Sequence, residues 1–146
     1  MHSSFDRDTG KGRAVMVFAA LLMVVSLACC STPLRMQDDF DTVTRAYGDV
    51  LRWKKFEGAS SFASSQIRDE FEERMRHATD VVVVDYRIIN SEYDETHKKA
   101  SVNAEISYHT LSSLRVRAIT DKQTWSYVEE DGSFHWRLMS LLPEFK

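Results

Sequence analysis

The spacing of apolar side chains changes once along this 146-residue chain, close to Asp80, and that change governs what it can fold into. Before it, apolar residues recur at three and four, the period of a helix with one buried face. Beyond it they recur at two, the period of a strand. Helices followed by a run of strands lack the alternating βαβ order from which parallel sheets are built. The expectation is an α+β fold, with two to three helices packed on one face of a curved, four-stranded antiparallel sheet.

From Asp38 the residues Phe40, Val43, Tyr47, Val50 and Leu51 follow the helical period, with Trp53 closing the run. Asp38, Asp39 and Asp41 open this first helix and Arg52, Lys54 and Lys55 close it, which suits the helix dipole at both ends. Phe56 to Ala63 (FEGASSFA) reads as a short helical turn or corner. Ser64 or Ser65 can then cap a second helix in which Ile67, Phe71 and Met75 fall at four-residue steps.

After Asp80 the run from Val81 to Asn90 is rich in β-branched and aromatic residues, which suits a strand. Val102, Ala104, Ile106 and Tyr108 alternate with Asn103, Glu105, Ser107 and His109, so one face of the second strand is expected to be buried. Leu114, Val116 and Ala118 set the buried parity of the third strand. Carrying it on to Trp125 and Tyr127 requires a bulge near Asp121 or Lys122. Glu130-Asp131-Gly132 supplies hairpin chemistry, and Phe134, Trp136 and Leu138 alternate with His135 and Arg137 before Pro143.

The N-terminus carries a different kind of information. Residues 1–13 are polar with Arg7, Lys11 and Arg13; Ala14 to Ala28 are almost wholly apolar, and small residues with Cys29 and Cys30 follow. That charged, apolar, small order is the order of a signal peptide. The 15-residue apolar run is shorter than the roughly 20 residues a helix needs to cross a bilayer core, so a permanent spanning helix is the weaker reading. The two cysteines are the only ones in the chain. Being adjacent, they do not easily close a disulfide.

Leu27-Ala28-Cys29-Cys30 resembles the lipobox of bacterial lipoproteins, a Leu and two small residues ahead of the cysteine that is modified. The resemblance implies lipidation of Cys30, which has Leu27 three positions before it, with Cys29 as the alternative. It also implies removal of residues 1–29 as a signal peptide, a lipidated tether over 30–37 and an α+β domain over 38–146. Several acyl chains together make anchoring stable where one holds only marginally. Ser31 follows Cys30, and the Asp that signals inner-membrane retention in enterobacterial lipoproteins is missing there. The implied location is therefore the periplasmic side of the outer membrane, in the cell envelope. The other reading of the cysteines is that they are small apolar residues ending a hydrophobic run.

Helix one ends Trp53-Lys-Lys-Phe56-Glu-Gly58-Ala59, strand three carries Gln123-Thr-Trp125, and Trp136-Arg-Leu138 closes the sheet ahead of Leu142-Pro143. With the order of elements, these resemble the small proteobacterial lipoproteins that have a nuclear-transport-factor-2-like, or cystatin-like, domain. Folds of that kind form a cone of sheet wrapped by helices, and the open end often holds a ligand, a partner or an active site. The superfamily is functionally diverse, so the resemblance carries no reaction. If the mouth of such a cone is open here, Trp53, Tyr108 and Trp125 are the aromatics expected to line it; the other reading makes them core.

Charge and motif narrow the chemistry. Leaving out the N-terminal segment takes away three basic and two acidic residues, so 16 basic and 20 acidic side chains remain and the domain is acidic. Such a surface lacks the basic stripe that nucleic acid requires. His77, His97, His109 and His135 show no metal-ligand spacing, so no metal is expected. There is no nucleophile elbow and no phosphate-cradling glycine loop, so no cofactor is expected either. Asp85, between Val84 and Tyr86, is the one acid considered for acid-base chemistry, unless it points outward as a surface charge. Arg115 and Arg117 read as a solvated outer-face pair.

The expected function is that of a membrane-anchored envelope lipoprotein, not an enzyme, whose domain binds a protein partner or its own copy. The alternative is a module that binds a small hydrophobic ligand in the cone.

Overall fold

In the computed structural model the chain is described over residues 32–53 and 56–146. Helix α1 is Thr32–Trp53, a single 3-10 turn follows at Ala59–Ser61, and helix α2 is Arg68–His77. The strands are β1 (Val81–Asp94), β2 (Lys99–Thr110), β3 (Ser113–Glu130) and β4 (Ser133–Leu138). They pair antiparallel in the order β1-β2-β3-β4. The α+β class and the four-stranded antiparallel sheet expected from the change of period are both present. Gln37–Lys146 form one compact unit.

Helix α1 starts at Thr32, ahead of the Asp38 start read from periodicity, and takes in most of the segment read as a tether. Pro33 falls in its first turn, where a missing N–H leaves no helical bond unmade. The helix buries Phe40, Thr44, Tyr47, Gly48 and Leu51. The Thr44 hydroxyl is satisfied within the helix, donating to the Phe40 carbonyl at 3.0 Å.

The second helix begins later than expected, at Arg68, and no side chain caps it. Ser64 is engaged elsewhere: its N–H donates to the Leu138 carbonyl (2.9 Å), while the Leu138 N–H donates to the Phe62 carbonyl (2.8 Å). Residues 62–64 thereby run beside the end of β4 and cover part of that sheet edge.

Register settles which residues face α1. On β2, Ala100, Val102, Ala104, Ile106 and Tyr108 are buried. They stand opposite Trp125, Gln123, Asp121, Ile119 and Arg117 of β3 in an unbroken ladder. The bulge expected near Asp121 is therefore absent, and the parity of β3 is the reverse of the one inferred from its first residues. Leu114, Val116 and Ala118 are exposed on the opposite parity, whereas Asp121, Gln123 and Trp125 are buried. Arg117 shares the parity of Asp121 and donates to the Lys146 carbonyl, so the expected outer-face arginine pair is not formed.

The irregularities lie in β1, where pairing shifts between Val83 and Asp85 and between Ile88 and Asn90. Each shift leaves one residue, Val84 or Ile89, exposed on the edge strand. A bulged edge is a poor template for adding a further strand. The β3–β4 hairpin is closed by Asp131 and Gly132, both at positive φ (51° and 76°), the left-handed pair that a two-residue turn of this twist needs. Phe134, expected in the core, is half exposed at the end of β4 and stacks on Tyr127 at 5.4 Å.

Candidate functional site

Helix α1 meets the sheet through aromatic rings. Phe40 packs on Trp136 (4.9 Å), Tyr93 (6.2 Å) and Trp125 (6.3 Å), and Tyr47 packs edge-on against Trp125 (5.8 Å) and Tyr86 (6.3 Å). Beneath these rings lies a chain of buried polar groups. The Trp125 indole N–H donates to the Gln123 side-chain carbonyl at 3.0 Å. The Gln123 amide nitrogen donates in turn to the Asp121 carboxylate (2.7 Å) and to the Tyr86 hydroxyl (2.8 Å). Gln123 is the hub, since one side chain supplies an acceptor and two donors.

Asp121 is only 2% exposed. Burial lifts its carboxyl from 3.8 to about 6, and the hydrogen bond from Gln123 offsets this only in part. Burial also raises the Tyr86 hydroxyl, again against the Gln123 hydrogen bond. Tyr47 is raised by burial first and by the neighbouring Asp121 second, and its hydroxyl has no hydrogen-bond partner. A buried carboxyl beside two tyrosines is a grouping that active sites use to shift pKa values. Here it is roofed by α1, and Asp121 lines none of the clefts found on the surface.

The residues singled out from the sequence do not converge. Trp53 is 73% exposed at the end of α1, with the Arg52 guanidinium 5.0 Å above its ring. Trp125 is fully buried among Phe40 and Tyr47. Tyr108 is buried against Phe145 (4.9 Å), and its hydroxyl bonds the backbone of Lys146. The expectation that these three line one mouth is therefore corrected: two are packing residues and the third is on the surface. The segment around Phe145, which also meets Phe56 at 5.6 Å, covers the ground beside Tyr108. Asp85 is exposed opposite Ser107, on the parity of Asn103 and Glu105, so it cannot serve as an interior base. Cys29 and Cys30 lie outside the described residues.

The histidines are scattered. His77 is within 3.8 Å of Glu73, His97 pairs with Asp94 at 2.7 Å inside the β1–β2 turn, and His109 contacts the Thr110 carbonyl. Among the described residues no three His, Cys, Asp or Glu side chains group as metal ligands.

Two surface features stand out among the described residues. One is a cleft of about 370 Å³ between α1 and β1, lined by Arg45, Gly48, Asp49, Arg52, Tyr86, Arg87 and Ile88. Its wall is the same Tyr86 that Gln123 holds from within. The other is the β2–β3 hairpin, where Leu111 (67% exposed), Leu114 (80%) and Val116 (57%) stand out in water within six residues. Elsewhere the outward residues of the sheet are mostly polar, Val84 and Ile89 at the β1 shifts apart, with Arg87 paired to Glu105 and Asn103 donating to Asn90, both at 2.8 Å. The sequence matches no known family model and no curated protein.

Proposed function

We propose that this chain is a membrane-anchored envelope lipoprotein whose α+β domain is a non-enzymatic protein-interaction module, with a nuclear-transport-factor-2-like cone as its finer architecture. The observation that carries the reading is the β2–β3 hairpin. Three large apolar side chains exposed within six residues, the densest such group among the exposed apolar residues, are what a protein-contact surface presents. The partner is a protein seated on this hairpin, with a second copy of the chain as the first candidate. Lipid on Cys30, or on Cys29, holds the domain at the periplasmic side of the outer membrane.

The reading that places a small hydrophobic ligand inside the cone has less support. The rings it would use at Tyr108 and Trp125 are already covered by Phe145, Phe40 and Tyr47. Crosslinking in intact cells followed by gentle extraction tests the proposal. A crosslinked species larger than the monomer is expected, reduced at least severalfold by Leu114→Asp with Val116→Asp. Recovery of the monomer alone would refute it.

A further inference from the structure

Among the described residues, the cleft between α1 and β1 gathers three arginines on an acidic domain. Arg45, Asp49 and Arg52 stand at the four- and three-residue spacing that puts them on one helix face, and Arg87 joins them from β1. Three guanidinium groups thus stand beside Asp49, and with Arg87 paired to Glu105 an excess of one positive charge remains within a chain whose net charge is −3.

Those guanidinium groups are incompletely used. Arg45 gives its Nε to the Asp41 carbonyl at 2.9 Å and makes no ion pair among the described residues. Arg52 makes no ion pair among them either, and its Nε is buried without a hydrogen-bond partner. Only Arg87 is neutralised, by Glu105 at 2.8 Å. That nitrogen is closed off from solvent, and the donors an oxyanion in the cleft can reach are the terminal nitrogens of Arg52, which make no hydrogen bond among the described residues.

The rest of the cleft is apolar and fixed in place. Gly48 brings no side chain to it, and a Cβ there would lie 2.4 Å from the Tyr86 ring, so the ring sits directly on the helix backbone. Gln123 holds the Tyr86 hydroxyl at 2.8 Å from the interior side, and Ile88 continues the apolar wall. A volume of about 370 Å³ is at the small end of ligand pockets. At the roughly 30 Å³ that a water occupies in the liquid, it holds about a dozen heavy atoms.

We infer that this cleft binds a small amphiphilic oxyanion, a carboxylate or phosphate group held by Arg45 and Arg52 with a short apolar or aromatic body against Tyr86 and Ile88. The inference is independent of the hairpin and its partner. The same chemistry is offered by a free organic anion and by an anionic lipid headgroup, and the test separates the two.

The full chain, kept in non-ionic detergent, is titrated with phenyl phosphate, hexanoate, inorganic phosphate and the uncharged 1-hexanol, followed by the fluorescence of Trp53 beside Arg52 and by equilibrium dialysis. Phenyl phosphate or hexanoate is expected to bind saturably at one site, at least tenfold more tightly than 1-hexanol. Arg52→Gln should weaken that binding about tenfold, the scale of one charge-assisted contact. Arg115→Gln, outside the cleft, should leave it unchanged, and matched thermal melts establish that both variants are folded.

In a second arm the purified chain is offered vesicles of pure phosphatidylcholine or of phosphatidylcholine with phosphatidylglycerol. Arg52-dependent capture by the anionic vesicles alone assigns the site to a lipid headgroup. Arg52-dependent binding of the soluble anions alone assigns it to a free one. Absence of saturable, Arg52-dependent binding in both arms would overturn the inference.

Discussion

Asp121 sets the chemistry of the interior, because among the described residues it is the one carboxyl enclosed with no cation to offset its charge. Its folded-state pKa of about 6 lies above the ordinary 3.8, so between these values the folded protein binds more protons than the unfolded chain. Stability therefore falls as pH rises through that window, by about 3 kcal/mol at roughly 1.4 kcal/mol per unit, and stays lower above it. Asp121→Asn removes the ionisation. In urea unfolding at pH 4, 5, 6 and 7, the variant should gain on the parent chain progressively and be the more stable of the two at pH 7. Asp94 and Glu130, whose pKa values are lowered by hydrogen bonds from His97 and Arg137, act with the opposite sign and only in more acidic solution. Their contributions cancel in the comparison.

Gly48 makes a second prediction at this scale. Alanine is the better helix former by about 1 kcal/mol, yet a Cβ at 2.4 Å from Tyr86 would drive the ring off its hydrogen bond with Gln123. Overpacking of this kind typically costs 1–3 kcal/mol, so the clash should win. Gly48→Ala is expected to lower the urea midpoint with an unchanged slope. A rise in the midpoint would mean that the ring is not held against the helix.

Among the elements, β3 shows where sequence reading succeeds and where it fails. Helix α1 was legible because its apolar residues keep one period from Phe40 to Leu51, and the β3–β4 hairpin because Asp131-Gly132 suits a turn with two positive φ angles. In β3 the first apolar residues, Leu114, Val116 and Ala118, belong to the exposed hairpin and gave the wrong parity. A bulge was then needed to bring Trp125 inside. Reading backward from Trp125 instead puts Gln123 and Asp121 in the core without any bulge, at the price of accepting a buried carboxyl. The alternation was readable, and the hydrogen bond to Asp121 comes from Gln123 two residues along the same strand, but the Tyr86 hydroxyl that holds Gln123 in place stands on another strand, and no spacing within β3 reveals it. The start of α1 is hidden for another reason: Pro33 reads as part of a tether, yet a proline is tolerated in the first turn of a helix.

The candidate sites were less legible than the fold. Aromatic residues in an alternating strand fit a wall of the core and a wall of a pocket equally well, and only the packing of Phe40, Tyr47 and Phe145 decides between them. The Arg45, Asp49 and Arg52 spacing was visible in the sequence, yet Arg87 joins it only through the sheet.

At the scale of the whole molecule, two parts of the proposed function are separable. The anchor is chemical: replacing Cys29 and Cys30 together with Ser should abolish incorporation of a radioactive fatty acid, and persistent labelling would contradict lipidation at this pair. The proposed interaction is physical, and the exposed cluster of Leu111, Leu114 and Val116 is the surface proposed for it. A photo-crosslinking side chain placed at Leu114, with another at Lys122 on the polar part of the same face as control, tests the module most directly in living cells. A discrete protein adduct is expected from position 114 and none from position 122. Equal labelling from both positions, or none from position 114, would contradict the assignment of the hairpin as the contact surface.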